Sequence, residues 1–137
     1  TPATLAAFAD WRAQHATLEL LLVRGNHDRH AGDPPPAWGV QAVDEGLPLG
    51  PFVLQHHPEP VPGAYALAGH VHPAVVLGGR AHDRLRLPCF HFGPQVGVLP
   101  AFGGFTGMHV LPRGSDDRVY VVAQDEVVEV PALNSRP

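Results

Sequence analysis

Leu18-Glu19-Leu20-Leu21-Leu22-Val23-Arg24-Gly25-Asn26-His27-Asp28 is the stretch that decides the fold. Its first six residues form a short apolar run that stops at Gly25, the pattern of a buried strand. Upstream, residues 2–16 place Leu5, Phe8, Ala9 and Arg12 at helical spacing. This predicts an amphipathic helix, with Thr1-Pro2 as its cap and first turn. Helix, strand, then polar turn is the rhythm of an α/β sheet, in which ligands gather at the carboxyl ends of strands.

Working outward, the same pattern recurs twice. Residues 51–55 read as a second buried strand ending in His56-His57-Pro58, and residues 65–68 as a third ending in Gly69-His70-Val71-His72. A buried run that ends in clustered Asn, His and Asp is costly unless a metal or a substrate satisfies those groups. Between these strands, residues 29–39 hold three consecutive prolines and two glycines and read as a loop. Residues 40–43 read as a short edge strand, and 58–63, with three prolines, as another loop. From residue 75 the pattern becomes strand after strand: 75–77, 84–92, 96–99, 108–111, 119–123 and 127–130. Turn signals at Gly78-Gly79, Gly103-Gly104 and residues 113–117 separate them, which predicts a second, largely antiparallel sheet. The last residues, 134–137, read as a frayed tail.

The chemistry follows from residue type and spacing. Gly25 permits a tight turn close to a ligand, and the Asn26 side-chain oxygen is a neutral ligand for a hard or borderline cation. Asp28, next to His27, can orient the imidazole and favour its protonated form; beside a phosphate ester such a His27 serves as a general acid. The same tetrapeptide also suits a plain turn and helix cap. His70 and His72 stand two apart, so an extended segment would point both to one side. His56 and His57 are adjacent, so an extended segment would send them to opposite faces, and only His56, nearest the strand end, is expected in the site. His15, His30, His82 and His109 lack a ligand partner at useful spacing and read as surface or satisfied side chains. His91 alternates with Phe90 and Phe92 in a strand and reads as a supporting or exposed side chain rather than a ligand. Cys89 has no local basic residue and reads as a small buried hydrophobe. Residues 103–107, rich in glycine, suit either a phosphate cradle or a tight turn between strands.

Composition bounds the rest. With 137 residues and 45% apolar content, one domain with a core is expected over residues 1–137. The net charge of -4, with all nine basic residues arginine, offers no general basic stripe for nucleic acid, although arginine grips a single phosphate well. The single cysteine excludes an internal disulfide and makes a reducing cytoplasm the default. No apolar run approaches the roughly 18 residues of a membrane span, and the first residues do not read as a basic-then-apolar signal pattern. A start at Thr1 reads as a fragment whose preceding elements lie elsewhere.

The Asn-His-Asp turn, the later histidine and the Gly-His-x-His pair resemble the calcineurin-like metallophosphoesterase superfamily. Val23-Arg24-Gly25-Asn26-His27-Asp28-Arg29, Leu87-Pro88-Cys89-Phe90 and Leu99-Pro100-Ala101-Phe102-Gly103-Gly104-Phe105-Thr106-Gly107 are similar to its bacterial DNA-ligase-associated branch. The resemblance runs from about residue 18 to 130. It implies an α/β (α+β) fold, a two-sheet sandwich flanked by helices and incomplete at its N-terminus. It also implies a centre of two divalent metal ions, Mn²⁺ with Fe or Zn as alternatives. Asn26, His56 and His70 would bind one ion and His72 the other; His27 would sit over the scissile phosphate, oriented by Asp28. A metal-bridging water would then attack a nucleotide or nucleic-acid phosphodiester in line. The branch implies a DNA-repair setting, with DNA-repair proteins as partners, and no membrane.

The family pattern also requires an Asp-x-His motif and a Gly-Asp motif upstream of the helix. Asp10 is followed by Trp11-Arg12, and Gly32-Asp33 lies after the Asn-His turn, so neither has a counterpart. The stretch is therefore expected to be the C-terminal portion of an enzyme domain, nearly inactive alone. Two alternatives stand beside the phosphodiesterase: a non-catalytic metal- or partner-binding module, and an enzyme for phosphomonoesters or protein phosphates.

Overall fold

The helix that opens the chain forms because its ends are satisfied locally. In α1 (Pro2–Gln14) the Thr1 hydroxyl accepts from the Thr4 N–H at 3.3 Å, and Pro2 occupies the first turn, where no N–H is needed. The computed structural model describes residues 1–78, 84–104 and 106–131, with the backbone alone at residues 29 and 30. The expectations for the His30 and His82 side chains, for Gly79 and Phe105 in their turns, and for the 134–137 tail lie outside the described residues. The chain divides into two compact units, Thr1–Asp44 and Glu45–Pro137.

In the first unit the expected apolar face of α1 is not buried: Leu5 is 52% exposed, and no helix residue is buried. The helix is held instead at Trp38, whose ring lies 4.4 Å from that of Phe8 and whose carbonyl accepts from Arg12 Nε at 2.8 Å. Strand β1 (Leu20–Val23) pairs in parallel with β2 (Val40–Val43), Leu20 opposite Val40 and Val23 opposite Val43. The expected loop between them contains two short helical pieces, α2 (Asp28–Ala31) and a 3-10 turn, Pro36–Trp38. Proline stands in the first positions of that turn, where no N–H is needed, and Gly39, at φ 61°, ends it in the left-handed region.

The second unit is a mostly antiparallel sheet system. It comprises β3 (Leu47–Leu49), β4 (Phe52–Leu54), β5 (Tyr65–Ala68), β6 (Pro73–Gly78), β7 (Arg84–Phe92), β8 (Val96–Val98), β9 (His109–Val110), β10 (Arg118–Ala123) and β11 (Glu126–Val130). The hydrogen-bonded order is β11-β10-β7-β8-β5-β4-β3, with β6 joined to β7 and β9. The later strands therefore do not form a sheet of their own, as the turn pattern suggested; β8 continues them in parallel onto β5. Strand β3 has no counterpart in the sequence reading, because Gly46, Pro48 and Gly50 interrupt its short apolar run. An edge position tolerates the proline, and Gly50 at φ 58° turns the chain back onto β4.

Strand β7 is the hinge of the architecture. Its first half pairs with β6 (Arg84 opposite Gly78, Pro88 opposite Ala74), and its second half with β10 and β8. The change of partner falls at Pro88-Cys89. Cys89, Val119 and Val121 form the buried cluster, with Val75, Leu77, Leu87 and Val130 packed around it. The whole is a mixed α/β fold dominated by sheet, in keeping with a sandwich.

Candidate metal centre

Strands β4 and β5 are neighbouring parallel strands, with Leu54 opposite Leu67, so their carboxyl ends lie side by side. The alignment continues past the strands: Gln55 N–H donates to the Leu67 carbonyl at 2.9 Å, and Gly69 N–H to the His56 carbonyl at 3.2 Å. Two of the three polar turns read from the sequence are thereby brought together. His56, His57 and His70 converge, each pair of ring centroids 4.7 Å apart.

His70 Nδ1 faces His56 Nε2 at 2.9 Å. Two imidazole nitrogens at that distance cannot both present lone pairs or both present protons. A single N–H, or a metal ion in its place, settles the pair. One donor nitrogen from each of the three histidines lies within 4.8 Å of the other two. Two nitrogens bound to one ion at about 2.1 Å each can stand no more than about 4.2 Å apart, a difference that ring torsions close. The donor set fits a divalent ion.

His57 was expected to point away from His56, since adjacent residues of a strand alternate. The strand, however, ends at Leu54, and residues 56 and 57 lie in a bend, so alternation no longer applies. The Glu45 carboxylate holds that bend, accepting from the backbone N–H groups of His56 and His57 at 3.2 and 3.1 Å and from His57 Nδ1 at 3.1 Å. The His57 backbone and ring N–H bonds hold the Glu45 carboxyl below the usual carboxylate range. Nothing in sequence spacing singles Glu45 out; it reaches the histidines because Gly46, at φ 94°, turns the chain beside the end of β4.

The Gly69-His70-Val71-His72 segment is not extended either. His70 and His72 adopt left-handed backbone conformations, with φ 66° and 50°, and Val71 N–H donates to the Gly69 carbonyl at 2.8 Å. Left-handed conformations at non-glycine residues cost energy and cluster at functional sites. The two imidazoles have different partners. His72 Nδ1 donates to the Gly107 carbonyl at 3.0 Å, which leaves Nε2 as its lone-pair nitrogen. His72 also lines a cavity of about 200 Å³ with Pro73, Pro88, Ala101, Thr106 and Met108.

The third polar turn belongs to the first unit. Asn26 and His27 are exposed there, and the Asp28 Oδ2 accepts from the Gly25 N–H at 2.7 Å, closing the turn at the start of α2. Arg24 is anchored rather than free to grip a phosphate. It binds Asp33 through Nε and Nη2, both at 2.7 Å, and Asp44 through Nη1 at 3.1 Å. Those bonds, Asp33 foremost, raise the guanidinium above its usual value.

Other sequence readings find structural roles. Cys89 is buried, and burial pushes its thiol up to about 11. His91 is buried and holds Asp117 Oδ2 at 2.8 Å, a pairing that sequence order did not reveal. His109 is exposed, and exposed His15 stacks on Trp11. Thr106 Oγ1 donates to the Gly103 carbonyl at 3.0 Å.

No family model and no curated protein matches the chain. Among solved structures it is similar to the Pseudomonas putida nuclease MPE, at 50% identity and a TM-score of 0.81. That neighbour is a nuclease. The match covers 95% of this chain and 62% of the nuclease, so the chain spans about 62% of that protein's length. At this identity and TM-score the two share a fold.

Proposed function

We propose that this chain contributes to a metal-dependent phosphodiesterase acting on nucleic-acid or nucleotide phosphodiesters. The 2.9 Å facing pair of His70 Nδ1 and His56 Nε2, at the joined ends of two parallel strands, carries this reading. It is supported by the likeness to a nuclease. In this reading His56 and His70 hold one ion and His72 serves the second through Nε2, with Asn26 a ligand that only the family resemblance implies. Bound divalent ions, Mn²⁺ first, would polarise phosphoryl oxygens and supply a nucleophilic water at neutral pH.

The chain's own residues do the rest. His27, exposed at the head of α2, donates the proton that the leaving oxygen needs. Asp28 closes the turn through the Gly25 N–H and so fixes where the His27 ring begins. The residues belong to one domain, as the C-terminal portion of a calcineurin-like metallophosphoesterase of the DNA-ligase-associated kind, working on nucleic acid in repair in the cytoplasm. No helix among the described residues is long and apolar enough to cross a membrane.

The test is hydrolysis of an aryl phosphodiester and of DNA with added Mn²⁺, by the full-length gene product and its His27→Ala variant. Activity should vanish with a chelator and fall about 10²–10⁴-fold in the variant. Metal binding without hydrolysis would replace the enzyme by a metal-binding module.

A further inference from the structure

The geometry points to His57 as a third imidazole donor at the His56–His70 metal site, with Glu45 as the residue that positions it. This rests on the proposed function, which puts His56 and His70 on the ion and gives His57 no role, although its ring stands in the same cluster. Three observations converge on it. First, the bend after β4 turns the His57 ring to the same side as His56, with ring centroids 4.7 Å from both His56 and His70. Second, both Glu45 oxygens lie within bonding distance of His57 Nδ1, at 3.2 and 3.1 Å. A carboxylate only accepts, so Nδ1 carries the proton and Nε2 carries the lone pair, the tautomer a metal ligand needs. Third, the same carboxylate takes the backbone N–H groups of both His56 and His57, so one side chain fixes the ring and the backbone beneath it.

A carboxylate holding the far nitrogen of a metal-bound histidine restricts the ring to one orientation and makes it a better donor. The competing role for Glu45 is a plain acceptor that satisfies two N–H groups of a bend. The two roles differ in what metal binding reports. The positioning role changes the ion's surroundings, whereas the plain role changes only the stability of the metal-free fold.

The experiment titrates Co²⁺ into the full chain, followed by calorimetry and by visible absorption, for the wild type, His57→Ala and Glu45→Gln, with metal-free melting curves alongside. His70→Ala serves as the control that removes an assigned donor. His57→Ala and Glu45→Gln should each weaken Co²⁺ binding about 10–100-fold and alter the absorption bands, with metal-free melting unchanged. Wild-type affinity and spectrum in both variants would overturn the assignment and leave the metal site to His56 and His70. A lowered melting temperature in Glu45→Gln with an unchanged Co²⁺ spectrum would overturn it as well, reducing Glu45 to an acceptor for the bend. If the wild type itself binds no Co²⁺, the metal reading falls first and this inference with it.

Discussion

At the scale of single residues, Asp117 shows how one carboxylate can hold several parts of a unit. It accepts from the Gly114 N–H at 2.8 Å and from His91 Nε2 at 2.8 Å, and His91 is buried. Burial opposes its ionisation, but the bonds from Gly114 and His91, with the nearby Arg113 charge, outweigh it and hold the carboxyl below its usual range. A carboxyl whose folded value is depressed stabilises the fold fully above its unfolded value, near 4. That contribution is lost as pH falls through the lower folded value. Asp117→Asn should therefore cost about 1–3 kcal/mol at neutral pH and flatten the stability curve in acid. Denaturant melts between pH 7 and pH 3 check this; parallel curves for the two proteins would refute it. From its place between aromatic residues His91 read as a supporting or exposed side chain, and the structure buries it. Its partner, 26 positions away, was not legible in the sequence.

At the scale of elements, the site depends on where strands end more than on what they contain. The alternation rule placed His57 opposite His56 and His70 beside His72. It failed at both places because the chain had already left the strand. Both misreadings have one cause: the period of two holds only while the backbone stays extended. Inside the strands the rules hold, and packing is tight enough to predict from. A methyl carbon added at Gly97 in β8 would lie 2.6 Å from Phe92 Cδ1 and 3.0 Å from Leu67 Cδ2. Gly97→Ala should thus destabilise by about 1–3 kcal/mol through overpacking. Combining it with Phe92→Leu should recover part of the loss, measured as a non-additive double-mutant cycle. Full additivity would show that the ring is not the obstacle.

At the scale of the molecule, the two units differ in what they bury. In the first, Gly25 is the one buried residue among those described. The second holds Ala66, Ala68, Ala74, Cys89, Val98, Val119 and Val121 buried. Local stability follows buried apolar contact. Amides of β1 and β2 should therefore exchange with solvent orders of magnitude faster than those of β7 and β10 in the metal-free chain. Equal protection in both pairs, measured by hydrogen exchange, would refute this. The turn carrying Asn26, His27 and Asp28 belongs to the unit with the thinner core, so its ordering is expected to depend on what binds it.

The sequence by itself determined most of the strand positions, β3 apart, because short apolar runs bounded by glycine and proline have few other folds open to them. It also determined that His56 and His70 follow strand ends, and that Cys89 is a buried hydrophobe, since local composition settles both. The tertiary structure decided the partners. The parallel pairing of β4 with β5 sets His56 against His70, the turn at Gly46 delivers Glu45 to His57, and the bend after Leu54 cancels alternation. Local chemistry is written along the chain, whereas a pairing between distant residues exists only once sheet register and turn direction have been chosen.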